Sequence, residues 1–309
     1  MKKIFIDGKA GTTGLRIEER LSARDDIEIV TLPDELRKDP VAKKEILNNV
    51  DIAFLCLPDA AAKEAVAMIE NPDVVVIDTS TAHRTNPDWA YGFAELGKDF
   101  ENKIKSSKRI AVPGCHASGF IALVYPLIKN GIIADTALLT CHSITGYSGG
   151  GKKMIEEYRS EERDNALGAP RQYGLTQGHK HLPEMCKITG LKTLPIFCPI
   201  VADFYSGMEV TVPLFKEQLL KGDINEIKEI YKNAYNTSMV YYKDQSDEGG
   251  FLSACALENK DVMQIEVFGN EERILLTARY DNLGKGASGA AVECLNIVLG
   301  EDKTKTLEL

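Results

Sequence analysis

No run of apolar residues in this 309-residue chain reaches the ~18 that a membrane-spanning helix needs, which excludes a helical membrane protein. The opening Met1-Lys-Lys-Ile-Phe-Ile-Asp7 has neither the apolar stretch nor the cleavage site of a secretory signal. Paired Cys-x-x-Cys motifs are missing as well. The seven cysteines are odd in number and scattered, which argues against a disulfide framework and a cysteine-rich zinc site. The expectation is a reduced, cytoplasmic protein. There is no basic stripe, and the net charge is −9, so nucleic acid is not the expected partner. Internal repeats are absent too. What remains is an ordinary globular composition, 44% hydrophobic and 27% charged, long enough for one large domain or two of common size.

The first third alternates short apolar strands with helices. Strands are expected at Lys2–Asp7, Ile27–Leu32, Asp51–Leu57 (closed by Pro58) and Val74–Asp78. Helical patterns fall at Leu15–Ala23, Val41–Asn48 and Ala60–Ile69. That order predicts a parallel, doubly wound sheet. After about residue 114 the texture changes to longer alternating strands, at Thr136–Ile144, Glu209–Phe215, Val262–Phe268 and Arg273–Tyr280, which predict a mixed or antiparallel sheet. A small-residue helix over Gly286–Leu299 is expected to pack back on the first domain, with a frayed charged end from Glu301. The division predicted is therefore an α/β Rossmann-type domain, 1–114 completed by 286–309, and an α+β catalytic and oligomerisation domain, 115–285.

The strongest chemical signal is Ala111-Val-Pro-Gly-Cys115-His-Ala-Ser-Gly-Phe120, followed at once by an apolar helical run. A strand, a Pro-Gly turn and a helix put the Cys115 sulfur at the helix's positive end, where the backbone dipole favours a thiolate. The alternative, an apolar filler, leaves the turn and helix start without purpose. Gly8-x-x-Gly11-Thr12-Thr13-Gly14 lies between a strand and a helix, where a dinucleotide-binding turn belongs. Its spacing is not G-x-G-x-x-G, and an ordinary βα turn competes with it. Leu32–Lys38 follows the second strand and holds both charge signs, so locally NAD and NADP both stay open. Asp78-Thr-Ser80-Thr-Ala-His-Arg84 ends another strand, and Arg84 is a candidate grip for carboxylate or phosphate, set against a surface ion pair.

His179-Lys-His181-Leu-Pro-Glu184 places two histidines two apart before a helix. In an extended segment alternate residues point oppositely, so one of the two is expected to face the chemistry as acid/base beside Cys115. His116 and His142 are rivals for that role. Tyr147-Ser-Gly149-Gly150-Gly-Lys152 is a loop able to fold over a cofactor, and Asp281-Asn282-Leu-Gly-Lys-Gly-Ala287 offers another anion-friendly helix start.

Gly11-Thr-Thr-Gly14, Val112-Pro-Gly-Cys115, His179-Lys-His181-Leu-Pro-Glu184 and Asn282-Leu-Gly-Lys-Gly-Ala287 run in this order over nearly the whole chain. Together they resemble the shorter N-acetyl-γ-glutamyl-phosphate reductases, enzymes of arginine biosynthesis. The resemblance implies an NADPH-dependent reductase that carries the acyl group as a thioester on Cys115, with His181 or His179 moving protons. It also implies a metal-free homo-oligomer, tetramer or dimer. The cofactor contacts expected on this reading are Gly8, Gly11, Thr12, Thr13, Gly14, Pro58, Ser80, Gly149, Gly150 and Asn282; the substrate contacts are Arg84, Lys152 and Glu184. The competing readings are a sister reductase for aspartyl or aminoadipyl phosphate, a cysteine acyltransferase or hydrolase, and a non-catalytic dinucleotide sensor.

Overall fold

Ile4, Phe5 and Ile6 are all buried, as a strand covered on both faces requires. The computed structural model describes every residue except Lys38, the last of the Leu32–Lys38 stretch, which lies outside the described residues. The described chain divides into two compact units. One comprises Met1–Ala94, Lys98–Gly114 and Ala287–Leu307; the other comprises Glu95–Gly97, Cys115–Gly286 and Glu308–Leu309.

In the first unit β1 (Lys2–Asp7), α1 (Thr12–Ser22), β2 (Ile27–Val30), α2 (Pro40–Asn48), β3 (Ile52–Leu55), α3 (Asp59–Met68) and β4 (Val75–Asp78) alternate along the chain. β5 (Ala90–Tyr91), α4 (Lys98–Ser106) and β6 (Arg109–Ala111) follow. All strand pairs are parallel, in the order β2-β1-β3-β4-β6-β5. Successive residues feed opposite faces. Ile4 and Ile6 join Ile17, Leu21, Ile104 and the last helix of the chain (Gly289–Leu299) on one side. Phe5 joins Leu47 and Ala65 on the other. This is the doubly wound α/β sheet that the alternation of apolar runs predicts.

The second unit is built on α5 (Cys115–Lys129), β7 (Thr140–Gly146), α6 (Gly151–Arg159), β8 (Arg171–Gln172), α7 (Leu182–Thr189), β9 (Ile196–Ala202) and β10 (Met208–Phe215). α8 (Ile224–Ala234), β11 (Val240–Tyr242), β12 (Met263–Gly269) and β13 (Arg273–Tyr280) complete it. Its seven-stranded sheet runs β11-β12-β13-β10-β7-β9-β8 and is mixed, with β7–β9 and β11–β12 parallel. One face carries Val210, Val212, Leu276 and Ala278 into the core; on the other, buried Arg279 bridges buried Glu266 to exposed Glu248. The strand expected from Thr136 begins only at Thr140, because Asp135–Ala137 are used in a turn closed by the Ala137 N–H donating to Ala134 O.

The expectation of a frayed end from Glu301 is corrected. Asn296 is fully buried, and its amide nitrogen donates to the carbonyls of Lys303 and Lys305 at 3.0 and 2.9 Å. Its oxygen accepts from Arg24, and Lys303 pairs with Glu101 at 2.6 Å. A charged segment can be fixed when a buried amide serves its backbone. No helix among the described residues is long and apolar enough to cross a membrane. Replacing Asn296 by Ala leaves the buried Arg24 nitrogen and two carbonyls to find water; we expect a loss of about 2 kcal/mol in urea unfolding. The segment after Gly300 should become sensitive to carboxypeptidase, and an unchanged midpoint with a protected tail would contradict this account.

Candidate active site

Cys115 is the first residue of α5, a helix whose residues from His116 to Val124 are all buried. The turn that bears it is unusual. Tyr280, at the end of central strand β13, donates its hydroxyl to the Cys115 carbonyl at 2.6 Å and accepts from the Gly119 N–H at 3.0 Å. The hydroxyl thus joins both ends of the first turn of α5 to the sheet. Gly119 is required there, since a Cβ would lie 2.7 Å from both the Tyr280 oxygen and Val210 Cγ2. Gly286 presses from another side: a Cβ on it would be 3.2 Å from the Cys115 Cβ.

Beside Cys115 lies a cluster of imidazoles. His116 is buried, with Nδ1 2.7 Å from Ser143 Oγ and Nε2 2.6 Å from the Tyr173 hydroxyl. Burial, with repulsion from His179 added, pulls its imidazole down to about 3. The rings of His179 and His181 lie 5.8 and 5.6 Å from that of His116, and 4.7 Å from each other. Burial, with a smaller contribution from Lys180, lowers His179. The Tyr173 hydroxyl is pushed upward, chiefly by burial and then by the charge on Cys115.

The alternation expected of His179 and His181 is therefore corrected: both rings face the same cluster. The segment is not extended but turns, with the Leu182 N–H donating to His179 O at 3.0 Å and the His181 N–H to His179 Nδ1 at 3.2 Å. His142 is exposed on β7. Tyr173, Ser143 and Tyr280 were not singled out from sequence, and nothing local in their surroundings marks them.

In the first unit the glycine turn has the shape a pyrophosphate needs. Gly8 has φ +85°, and a Cβ there would meet Cys56 O at 2.2 Å; one on Gly14 would meet Gly8 O at 2.7 Å. α1 starts at Thr12, three residues earlier than expected. Its N-cap is Gly11, no side chain caps it, and its first turn holds no acid. The first-turn N–H groups near Thr12 and Thr13 are thus available to an anion. A cavity of about 240 Å³ lies alongside, lined by Gly8, Lys9, Ile29, Leu32, Arg37, Lys43 and others. The residues present fit a dinucleotide.

Other expected contacts are placed differently. Arg84 is buried and donates to the Val112 and Thr79 carbonyls, both at 2.8 Å. It is a brace between strand ends, not an exposed grip. Asn282 is buried, tying Ser148 Oγ (3.0 Å) to the Gly207 N–H (2.9 Å), so its amide organises loops. The N–H groups of Leu283 and Gly284 already serve the Asp281 carboxylate, which fills the anion-friendly turn expected there. Ser80 bonds Asp78, and Pro58 caps α3. Gly149, Gly150 and Lys152 are exposed around the start of α6, and Glu184 is buried in the first turn of α7. Among the described residues no cluster of three or more His, Cys, Asp or Glu is arranged to hold a metal.

A doubly wound unit with a glycine turn, joined to a mixed-sheet unit opened by a helix-start cysteine, is the build of the semialdehyde dehydrogenases. Residues 12–104 match the model "Semialdehyde dehydrogenase, NAD binding domain", and residues 115–282 match "Semialdehyde dehydrogenase, dimerisation domain". The chain is 44% identical to N-acetyl-γ-glutamyl-phosphate reductase 2 of Nostoc sp., over 96% of this chain and 97% of that one. It is 43% identical to N-acetyl-γ-glutamyl-phosphate reductase of Rhizobium meliloti, over 96% and 98%. Aspartate semialdehyde dehydrogenase from Francisella tularensis shares the fold at a TM-score of 0.73 and 16% identity, over 97% of this chain and 100% of that one. The chain belongs to the semialdehyde dehydrogenase family and, within it, to the N-acetyl-γ-glutamyl-phosphate reductases.

The neutral His116 yields a pH prediction. Its folded pKa, about 3, lies below the ordinary value of about 6.5. Its share of stability is intact above pH 6.5 and is lost as the pH falls towards 3, at up to about 1.4 kcal/mol per pH unit. The urea midpoint of the wild type should fall more steeply than that of His116→Gln between pH 7 and 5. Parallel curves would contradict a buried neutral imidazole.

Proposed function

We propose that the protein reduces N-acetyl-glutamyl 5-phosphate to N-acetyl-glutamate 5-semialdehyde and phosphate, through a thioester on Cys115. The observation that carries the mechanism is Cys115 at the first residue of a buried helix, followed by a buried His116 whose ring packs with those of buried His181 and half-buried His179. The thiolate attacks the acyl carbon, the bond to phosphate breaks, and inorganic phosphate leaves. Held at the glycine turn, a nicotinamide dinucleotide would supply the hydride for the thioester carbon. The C–S bond then breaks, Cys115 departs as thiolate and the aldehyde is released.

Proton transfer belongs to His181 on this reading. Both nitrogens of His116 are taken by Ser143 and Tyr173, and Nδ1 of His179 accepts from its own turn. Gly8, Gly11, Thr12, Thr13 and Gly14 would hold the pyrophosphate. NADP is the preferred form on this reading: Arg37, Lys43 and Lys9 line the cavity beside β2, and a 2′-phosphate would draw them from their present partners Asp34, Asp7 and Glu18. The exposed Lys152 suits an anionic substrate. A cytoplasmic setting agrees with seven cysteines held as thiols. Self-association is expected through the outer sheet face, where Ile196, Phe215 and Leu275 are 60, 61 and 42% exposed.

The direct test is the reverse assay: N-acetylglutamate semialdehyde, phosphate and NADP⁺, following absorbance of the reduced nicotinamide. Phosphate-dependent reduction, faster with NADP⁺ than NAD⁺ and weak with aspartate semialdehyde, is expected. Cys115→Ser should fold and bind NADPH yet lose nearly all turnover; substantial residual activity would sink the covalent route. Binding of NADPH with no turnover of any acyl phosphate by the wild type would favour the sensor reading.

A second expectation separates the two histidines. His181→Asn should lower kcat by about 100-fold or more, in the range of a lost general acid/base. His179→Asn should cost about tenfold or less. Equal small effects would move the role away from both.

A further inference from the structure

We propose that Tyr280 is a positioning residue for the nucleophile, acting through the backbone of the turn that carries Cys115. This rests on the reading of Cys115 as nucleophile, but it is drawn from geometry that the reading does not use. The Tyr280 hydroxyl ties both ends of the first turn of α5 to the sheet, receiving from the Gly119 N–H at 3.0 Å and giving to the Cys115 carbonyl at 2.6 Å. That turn aims the Cα–Cβ bond of Cys115, so fixing its two ends fixes the thiol.

The tie is rigid. Tyr280 pairs in register with Met208 on β10 and Met263 on β12, so its backbone is fixed from both sides. Its ring lies against the Gly286 backbone, which also confines the Cys115 Cβ. The absent Cβ of Gly119 leaves the room the hydroxyl needs. Three features of distant sequence, Tyr280, Gly119 and Gly286, thus converge on one residue. Burial, with the charge on Cys115 adding to it, pushes the Tyr280 hydroxyl well above its ordinary range, so it remains a donor to the carbonyl at working pH.

The same helix supplies a control. Pro126 has no N–H, so the Ala122 carbonyl lacks its normal helical partner, and the Tyr235 hydroxyl donates to it at 2.7 Å. Tyr235 is thus a buried tyrosine bonded to a carbonyl of α5, far along the helix from Cys115.

The test compares Tyr280→Phe with Tyr235→Phe. Alkylation of Cys115 by iodoacetamide in the protein without cofactor is followed across pH 5–10 by mass spectrometry of its peptide. Turnover and thermal melting are measured alongside. Tyr280→Phe removes one oxygen and with it both ties between β13 and the first turn of α5. The expected result is a displaced alkylation pH profile, a kcat at least tenfold lower and a KM within about twofold of wild type. Tyr235→Phe should melt lower yet keep the wild-type alkylation profile and kcat. A Tyr280→Phe protein with wild-type alkylation and kcat, or one matched in both by Tyr235→Phe, overturns the proposal. Failure of the nucleophile reading is a separate outcome, seen as retained turnover in Cys115→Ser.

Discussion

The second unit depends on burying a helix whose own hydrogen-bond ladder is incomplete. α5 is apolar on nearly every side, so each backbone group it fails to pair internally must be paired by something else. The ladder is open at Pro126, and its first turn is tied to the sheet at Cys115 and Gly119. In both places a tyrosine hydroxyl from another element makes the connection, Tyr235 to Ala122 and Tyr280 between Cys115 and Gly119. An unpaired buried carbonyl costs about 1–3 kcal/mol, so these hydroxyls carry much of the energy that lets such a helix sit in the core. The consequence for chemistry is that the position of Cys115 is set by the sheet.

The first unit solves a different problem with backbone alone. A βα turn can hold an anion only if its N–H groups stay available and its atoms approach closely. Gly8 and Gly14 provide the close approach, because any side chain there would strike Cys56 or Gly8. The uncapped start of α1 provides the donors. A side chain at the N-cap able to satisfy them would add helix stability and remove the binding function, so the missing cap is itself informative.

Much of this was legible in the sequence where the signal is local. The alternation of short apolar runs with helices specifies the parallel sheet, and the Pro-Gly-Cys turn before an apolar run locates the start of α5. The boundary of α1 was misplaced because Thr12 and Thr13 read as loop residues. β9 went unseen because Pro199 interrupts an otherwise apolar strand, and proline argues against a central strand. Asn282 and Arg84 were chosen for their chemical type. Their functional groups turn out to be spent on Ser148, Gly207, Val112 and Thr79, which are contacts that no spacing reveals. Tyr173 and Tyr280 reach the site from 58 and 165 positions along the chain, and only the fold brings them there.

The histidine cluster shows how the fold turns a weak motif into a specific one. Three imidazoles with ring centres within 6 Å of one another are strongly coupled, and a proton on one raises the cost of a second. Burial pushes in the same direction, and both effects keep His116 uncharged well below neutral pH. A neutral His116 can then act as a fixed spacer, anchored at Ser143 on one side and Tyr173 on the other. With His116 and the Nδ1 of His179 committed, the geometry favours the proposed assignment of proton exchange to His181. On that proposal, a pair that would compete if both were solvated is divided into a scaffold and a reactive group, with no change of residue type.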